Sequence, residues 1–201
     1  MKVAIIKYNA GNVQSVLYAL QRLGIDAVVT DNKDEISNAD KIIFPGVGNA
    51  GSAMEYLKTN NLDKLIISLR QPVLGICLGL QLMCNASEEA NTRCLGIFDV
   101  EVKKFDISLE VEDASIKIPH MGWNTIYDLR SPLFSGVKEN TFVYFVHSYY
   151  AALSPQTIAT SDYIIPFSAA IKKNNFYGVQ FHTEKSAEAG IQIISNFLNI
   201  A

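Results

Sequence analysis

The chain has 201 residues, a formal net charge of −3 and 49% apolar side chains. That length suits one domain spanning 1–201, the apolar share is too high for disorder, and a slightly acidic chain with no long basic run is not an electrostatic nucleic-acid binder. The longest apolar stretch, Pro72 to Leu80, is too short for a bilayer, and the N-terminus has no cleavage-like site of a secretory leader, so the expected location is the cytoplasm.

Residues 3–6 form a continuous apolar run, as a strand buried on both faces would. Turn residues Asn9, Gly11 and Asn12 follow, then Val13, Val16, Leu17 and Leu20 at helical spacing, with Gly24 as the stop. Residues 27–30 read as a second strand and 41–44 as a third, ended by Pro45-Gly46. A helical region over about 50–69 leads to an apolar strand at 73–76 and a helix from near Leu80. Strand and helix in alternation predict an α/β fold with a parallel sheet flanked by helices. Beyond Gly96 the pattern becomes short strands: 98–105, 115–119, 142–146, 157–160, 168–173 and 176–181, with Asn174-Asn175 as a hairpin turn. A last helix presents Ala187, Ile191, Ile194 and Leu198 on one face.

Gly75-Ile-Cys77-Leu-Gly79 stands between a strand and a helix, the frame of a nucleophile elbow. The turn is tight, so its flanking positions must be small, and a helix N-terminus favours a thiolate. A buried cysteine in a strand–helix corner fits the same pattern. Cys84 and Cys94 lack the glycine frame and read as packing residues. Three cysteines without a CxxC pair argue against a disulfide framework or a structural zinc site, and three scattered histidines do not restore a metal. His182 and Glu184, two apart at a strand end, can face one cleft as a base and its orienting carboxylate. A surface pair is the plainer alternative. Pro45-Gly-Val47-Gly48 follows another strand end, where backbone N–H groups could turn toward an oxyanion together with that of Leu78.

In this order, PGVG (45–48) followed by Ala53-Met54, GICLGLQ (75–81), PHMGWN (119–124), YFVHSY (144–149) and GVQFHTEKS (178–186) resemble the class I glutamine amidotransferases. Within that family the chain is most similar to glutaminase subunits of imidazole glycerol phosphate synthase. PHMGWN and YFVHSY make that distinction, because GICLG and FHxE are shared across the superfamily. The resemblance covers nearly the whole chain. It implies a flavodoxin-like fold, a mostly parallel sheet with extra antiparallel strands in the C-terminal half. It also implies glutamine hydrolysis through a cysteine thioester, without metal or cofactor. Cys77 would be the nucleophile, His182 the base and then acid, and Glu184 the orienting group. Gly48, Gln81, Glu89, Ser148 and Tyr149 match the glutamine pocket; Val47, Gly48 and Leu78 match the oxyanion donors. Asn12, Trp123, Tyr144 and Lys185 match positions near the synthase interface. The implied partner is a (β/α)₈-barrel cyclase in a heterodimer, which takes the ammonia to make imidazole glycerol phosphate and an aminoimidazole carboxamide ribotide in histidine synthesis. Neither nucleic acid nor membrane is implied. One departure is Thr183, where the family commonly has proline. Three other readings stay open at this level: a same-fold glutaminase serving another synthase, a cysteine hydrolase of related fold, and a silent regulatory subunit.

Overall fold

The computed structural model describes residues 1–8, 12–108 and 117–200. Strand β1 (Val3–Ile6) is buried at every position, as its unbroken apolar run requires. In chain order there follow α1 (Val13–Arg22), β2 (Ala27–Thr30), α2 (Lys33–Ser37), β3 (Lys41–Gly46), α3 (Ala50–Thr59), α4 (Leu62–Ser68), β4 (Val73–Cys77) and α5 (Leu78–Met83). The second half contains β5 (Ala86–Ser87), β6 (Thr92–Arg93), β7 (Glu101–Lys104), β8 (His120–Ile126), β9 (Thr141–His147), β10 (Tyr149–Ala151), β11 (Thr157–Tyr163), β12 (Ile165–Lys173), β13 (Phe176–Val179) and α6 (Ala187–Asn199). Among the described residues no helix is long and apolar enough to cross a membrane.

A seven-stranded sheet runs in the order β11-β12-β13-β4-β3-β1-β2. Its β13-β4-β3-β1-β2 portion is parallel, and β11 and β12 are added antiparallel. Alternate residues feed two cores. Val3, Ile5, Ile43 and Leu74 pack with α1 and α6, whereas Ala4, Ile6, Ile42 and Val73 pack with α3 and α4. The parallel strands all end on one side, where α/β sheets place their ligands. A second sheet, β10-β7-β5-β6, and the two-stranded ribbon β8-β9 lie outside the main one.

Several sequence expectations need correction. Pro45-Gly46 does not stop β3, because pairing with β4 continues to Gly46↔Cys77. The last β1 partner is Ile5↔Ile43, so the missing proline N–H breaks no ladder bond on that side. The helix over 50–69 is two helices, divided where Asn61 takes a left-handed φ of 53°. Helix α5 begins at Leu78, directly after the elbow. Residues 98–100 are irregular and only Glu101–Lys104 is strand. Residues 115–116 of the expected strand 115–119 lie outside the described residues, as do Asn9 and Gly11; Lys117 to Pro119 are irregular, and the strand starts at His120. The buried face of α6 is Gly190, Ile193, Ile194, Phe197 and Leu198, rotated from the expected one, with Ala187 exposed. The rotation follows from close packing: a side chain at Gly190 would collide with the Thr183 carbonyl.

Candidate active site

Cys77 sits at the end of β4 with φ 54° and ψ −109°, a conformation that costs a non-glycine residue on the order of 1–3 kcal/mol. The elbow persists because its surroundings leave no alternative. A Cβ on Gly75 would lie 2.8 Å from the backbone of Gly79 and Leu80, and one on Gly79 would overlap the Phe44 carbonyl. The thiol donates to the Val146 carbonyl at 3.9 Å and accepts from Gln180 Nε2 at 3.7 Å.

A cavity of about 380 Å³ opens above the sulfur, near the lower end of the usual range for small-molecule sites. Gly48, Gln81, Glu89, Ser148 and Tyr149 all line it, together with Cys77, Val47 and Leu78. Gln81 spends its Nε2 on the Tyr149 carbonyl at 2.8 Å and Gln180 Oε1 at 3.0 Å, which leaves its Oε1 as an acceptor for a ligand. Glu89 accepts the Ala50 N–H at the start of α3 through Oε2 at 2.7 Å, so a ligand would meet its other oxygen.

His182 and Glu184 lie behind the elbow, in a narrow crevice shared with Asn12, Pro45, Gly46 and Val47. Strand alternation does not bring them together. The chain leaves the extended form after His182 and enters a 3₁₀ turn, Thr183–Lys185, which folds Glu184 back onto the ring. His182 Nδ1 donates to Glu184 Oε1 at 2.7 Å, with the side chains only 2% and 1% exposed. Its Nε2 is buried and has no hydrogen-bond partner among the described residues, and Cys77 stands near enough to act on the ring. Burial opposes the charged imidazole, but hydrogen bonding and charge from Cys77 and Glu184 outweigh it and push the pKa up to about 10.

The Val47–Gly48 loop is pinned at both ends. Tyr8, buried beneath it, donates its hydroxyl to the Pro45 carbonyl at 2.7 Å. Burial, and next the charge of Cys77, raise the Tyr8 pKa well above the usual phenol value, so it remains a donor. On the far side Asn49 Oδ1 accepts the Gly51 N–H at 2.9 Å and caps α3. Gly48 between them has φ 112°, while a side chain there would meet no atom within 4 Å, so it is backbone freedom rather than space that calls for glycine.

The four residues matched to the interface divide. Asn12 Nδ2 donates to Glu184 Oε1 at 2.7 Å, which places it beside the carboxylate. Trp123 is 52% exposed and meets Tyr144 edge-on at 5.9 Å, and Lys185 Nζ lies 5.7 Å from the Tyr144 ring centre. Met121 and Phe142 share that face and are 63% and 60% exposed. Sequence reasoning missed Tyr8, Gln180 and the contact between His120 and His147. The Gln in VQFH and the His in FVHS stand inside the motifs, but only the fold gives them partners.

Thr183 has a buried hydroxyl without a hydrogen-bond partner, and no acceptor for its N–H occurs among the described residues. It opens a 3₁₀ turn, a position that suits proline. Thr183→Pro is therefore expected to stabilise the chain by roughly 1 kcal/mol, through a stiffer unfolded chain and one fewer orphaned hydroxyl. A rise in thermal midpoint checks this; a fall would mean that the backbone here does not accept proline.

The class I glutamine amidotransferase family model matches residues 4–201. The imidazole glycerol phosphate synthase subunit HisH of Bacteroides fragilis is 60% identical over 200 residues, covering 100% of both chains. The same subunit from Bacteroides thetaiotaomicron is 57% identical with the same coverage. That from Pasteurella multocida is 45% identical over 98% of this chain and 96% of its own. Among solved structures, one glutamine amidotransferase superposes with a TM-score of 0.72 at 15% identity, over 98% of this chain and 96% of that one. Another, from Thermotoga maritima, gives 0.64 at 16% identity, over 99% and 83%. At such identities the superpositions speak for the fold alone. By family match and by whole-length identity, the chain belongs to the class I glutamine amidotransferases, in the group of imidazole glycerol phosphate synthase HisH subunits.

Proposed function

We propose that this chain hydrolyses glutamine to glutamate and ammonia as a single amidotransferase domain, and passes the ammonia to a barrel-shaped cyclase in histidine synthesis. The observation that carries the reading is the strained Cys77 at the floor of a cavity lined by Gln81 and Glu89, with the buried His182–Glu184 pair behind it. Cys77 Sγ attacks the carboxamide carbon of glutamine. The C=O electrons move onto oxygen, which the N–H groups of Leu78 and of the Val47–Gly48 loop stabilise. His182, with its pKa at about 10, is an imidazolium at neutral pH and favours the thiolate beside it. It gives its proton to the nitrogen as the C–N bond breaks, and ammonia leaves. Water then attacks the thioester with His182 as base, releasing glutamate and restoring the thiol. Gln81 Oε1 and the free oxygen of Glu89 suit the α-ammonium of glutamine, a cation with three donors.

Ammonia released into bulk water is protonated and lost to the acceptor, so direct transfer to a docked cyclase is expected. The exposed Met121, Trp123 and Phe142 supply an apolar surface for docking, with Tyr144 and Lys185 beside it. The Val47–Gly48 loop suits control by such a partner, because only two residues are free between fixed ends and one is glycine. Docking of the cyclase with its nucleotide bound is expected to raise the glutaminase rate by about 10²–10³, the effect of gaining one oxyanion donor. The test is co-purification with the cyclase, followed by ammonia release measured with and without it. Equal rates alone and in complex would exclude gating by the loop, while the catalytic assignment would stand.

A further inference from the structure

Among the buried polar side chains that take no part in the chemistry above are His120, His147 and Gln180. One acceptor fixes the direction of the hydrogen bonds that join them. The Tyr149 carbonyl can only accept, so His147 Nδ1, 2.8 Å away, carries a proton. Burial above all holds the His147 pKa down to about 3, and it is neutral. Its Nε2 is then a bare acceptor, and His120 Nδ1, at 3.0 Å, must be the donor. His120 is neutral too, since burial lowers it to about 4, so its Nε2 is bare and meets the amide N–H of Asn124 at 3.4 Å. The His120 ring cannot turn out of this arrangement. It is stacked between Tyr163 and Phe145, with centroids 3.9 Å and 4.8 Å away.

The same Tyr149 carbonyl also receives the Gln81 amide, whose second proton goes to Gln180 Oε1. That settles which way the Gln180 amide points. Flipping it would set two NH₂ groups against each other, so its Nε2 must face Cys77 Sγ, 3.7 Å away. The titratable groups around the sulfur are Tyr8 at the end of β1 and His182, with Glu184 behind it. Gln180 adds a neutral donor to this set. Such an N–H stabilises negative charge on the sulfur, and a donor already held in place needs no reorganisation as that charge is used.

We propose that Gln180 is a positioning residue for the nucleophile, and that its N–H is aimed at Cys77 by Gln81, whose own amide is oriented by the Tyr149 carbonyl to which His147 also donates. The proposal rests on the glutaminase reading of Cys77. Two-bond ¹H–¹⁵N correlations on the full-length chain with ¹⁵N-histidine test the tautomers without any turnover. At pH 7 both His120 and His147 should be neutral and protonated on Nδ1, the form that free imidazole side chains disfavour. An Nε2–H tautomer at His147 would set a lone pair against the Tyr149 carbonyl and overturn the anchor that orients Gln81 and Gln180.

The second arm is inactivation of Cys77 by a glutamine-analogue electrophile. With Gln180→Met the maximal inactivation rate should fall about tenfold, with the half-saturating concentration within about twofold of the parent, because a donor to the sulfur is lost and the pocket is kept. An unchanged maximal rate in Gln180→Met, or a change in half-saturation alone, would overturn the role; if that variant does not fold, Gln180→Leu is read in the same way. Absence of Cys77 labelling in the parent would remove the glutaminase reading itself, and this role with it, whatever the tautomers.

Discussion

Cys77→Ala is expected to lower glutamine turnover by on the order of 10⁵–10⁶, the loss typical of deleting a catalytic nucleophile, with little change in stability. Alanine bears the same left-handed φ as cysteine, so the strain of the elbow is neither relieved nor increased. Only the sulfur and its two weak contacts are lost. A glutamine-analogue electrophile should mark Cys77 in the parent and leave Cys84 and Cys94 unmarked. Both of those thiols are buried, which pushes Cys84 well above the ordinary thiol range and Cys94 up to about 12. The charge of Lys58 offsets part of the rise at Cys94, but burial prevails at both positions. Peptide mapping of the adduct decides the matter, and a label on Cys84 would move the nucleophile elsewhere.

The second large effect belongs to the pair behind the cysteine. His182→Asn should lower turnover by about 10³–10⁴ or more, and Glu184→Gln by less, because the orienting group contributes less than the proton carrier. The pH profile separates the two roles. Glu184 helps hold His182 at about 10 against burial, so the protonated ring survives through neutral pH and is lost as pH rises through that value. Removing the carboxylate charge lowers the ring's pKa, and the alkaline limb of ammonia release should move to lower pH in Glu184→Gln. Asn12 also donates to the carboxylate oxygen that binds the ring, so the amide of the variant must compete for that position. Rates ranked the other way, or an alkaline limb that does not move, would mean the roles are misassigned.

How much of this was legible in the sequence depended on how local the cause was. A strand covered on both faces leaves an unbroken apolar run, and residues 3–6 and 73–76 could be read for that reason, whereas 27–30 is an edge strand left partly uncovered. The elbow was legible because the two positions its sterics constrain, Gly75 and Gly79, stand within two residues of Cys77. The spacing of His182 and Glu184 was legible, but its cause was not: a 3₁₀ turn joins them, and the packing of Gly190 on Thr183 braces that turn. The approach of His120 to His147 had no local sign. The two are 27 residues apart, and they meet through the antiparallel register of β8 on β9. Strand β8 was itself obscured, since Gly122 and Asn124 interrupt the alternation expected of it. Tyr8 looks like an ordinary residue at a strand end until its hydroxyl is seen on the Pro45 carbonyl.

The β8-β9 ribbon has a wet side and a dry side on one backbone. Met121, Trp123 and Phe142 occupy the first; His120 and His147 occupy the second, and His147 faces the cavity above Cys77. Two-stranded ribbons twist more readily than wide sheets. Side chains on opposite faces turn with the same peptide planes, so a rotation about the ribbon axis moves the two faces in opposite directions. Whatever covers its wet side therefore bears on the same backbone that carries His147 to the cavity.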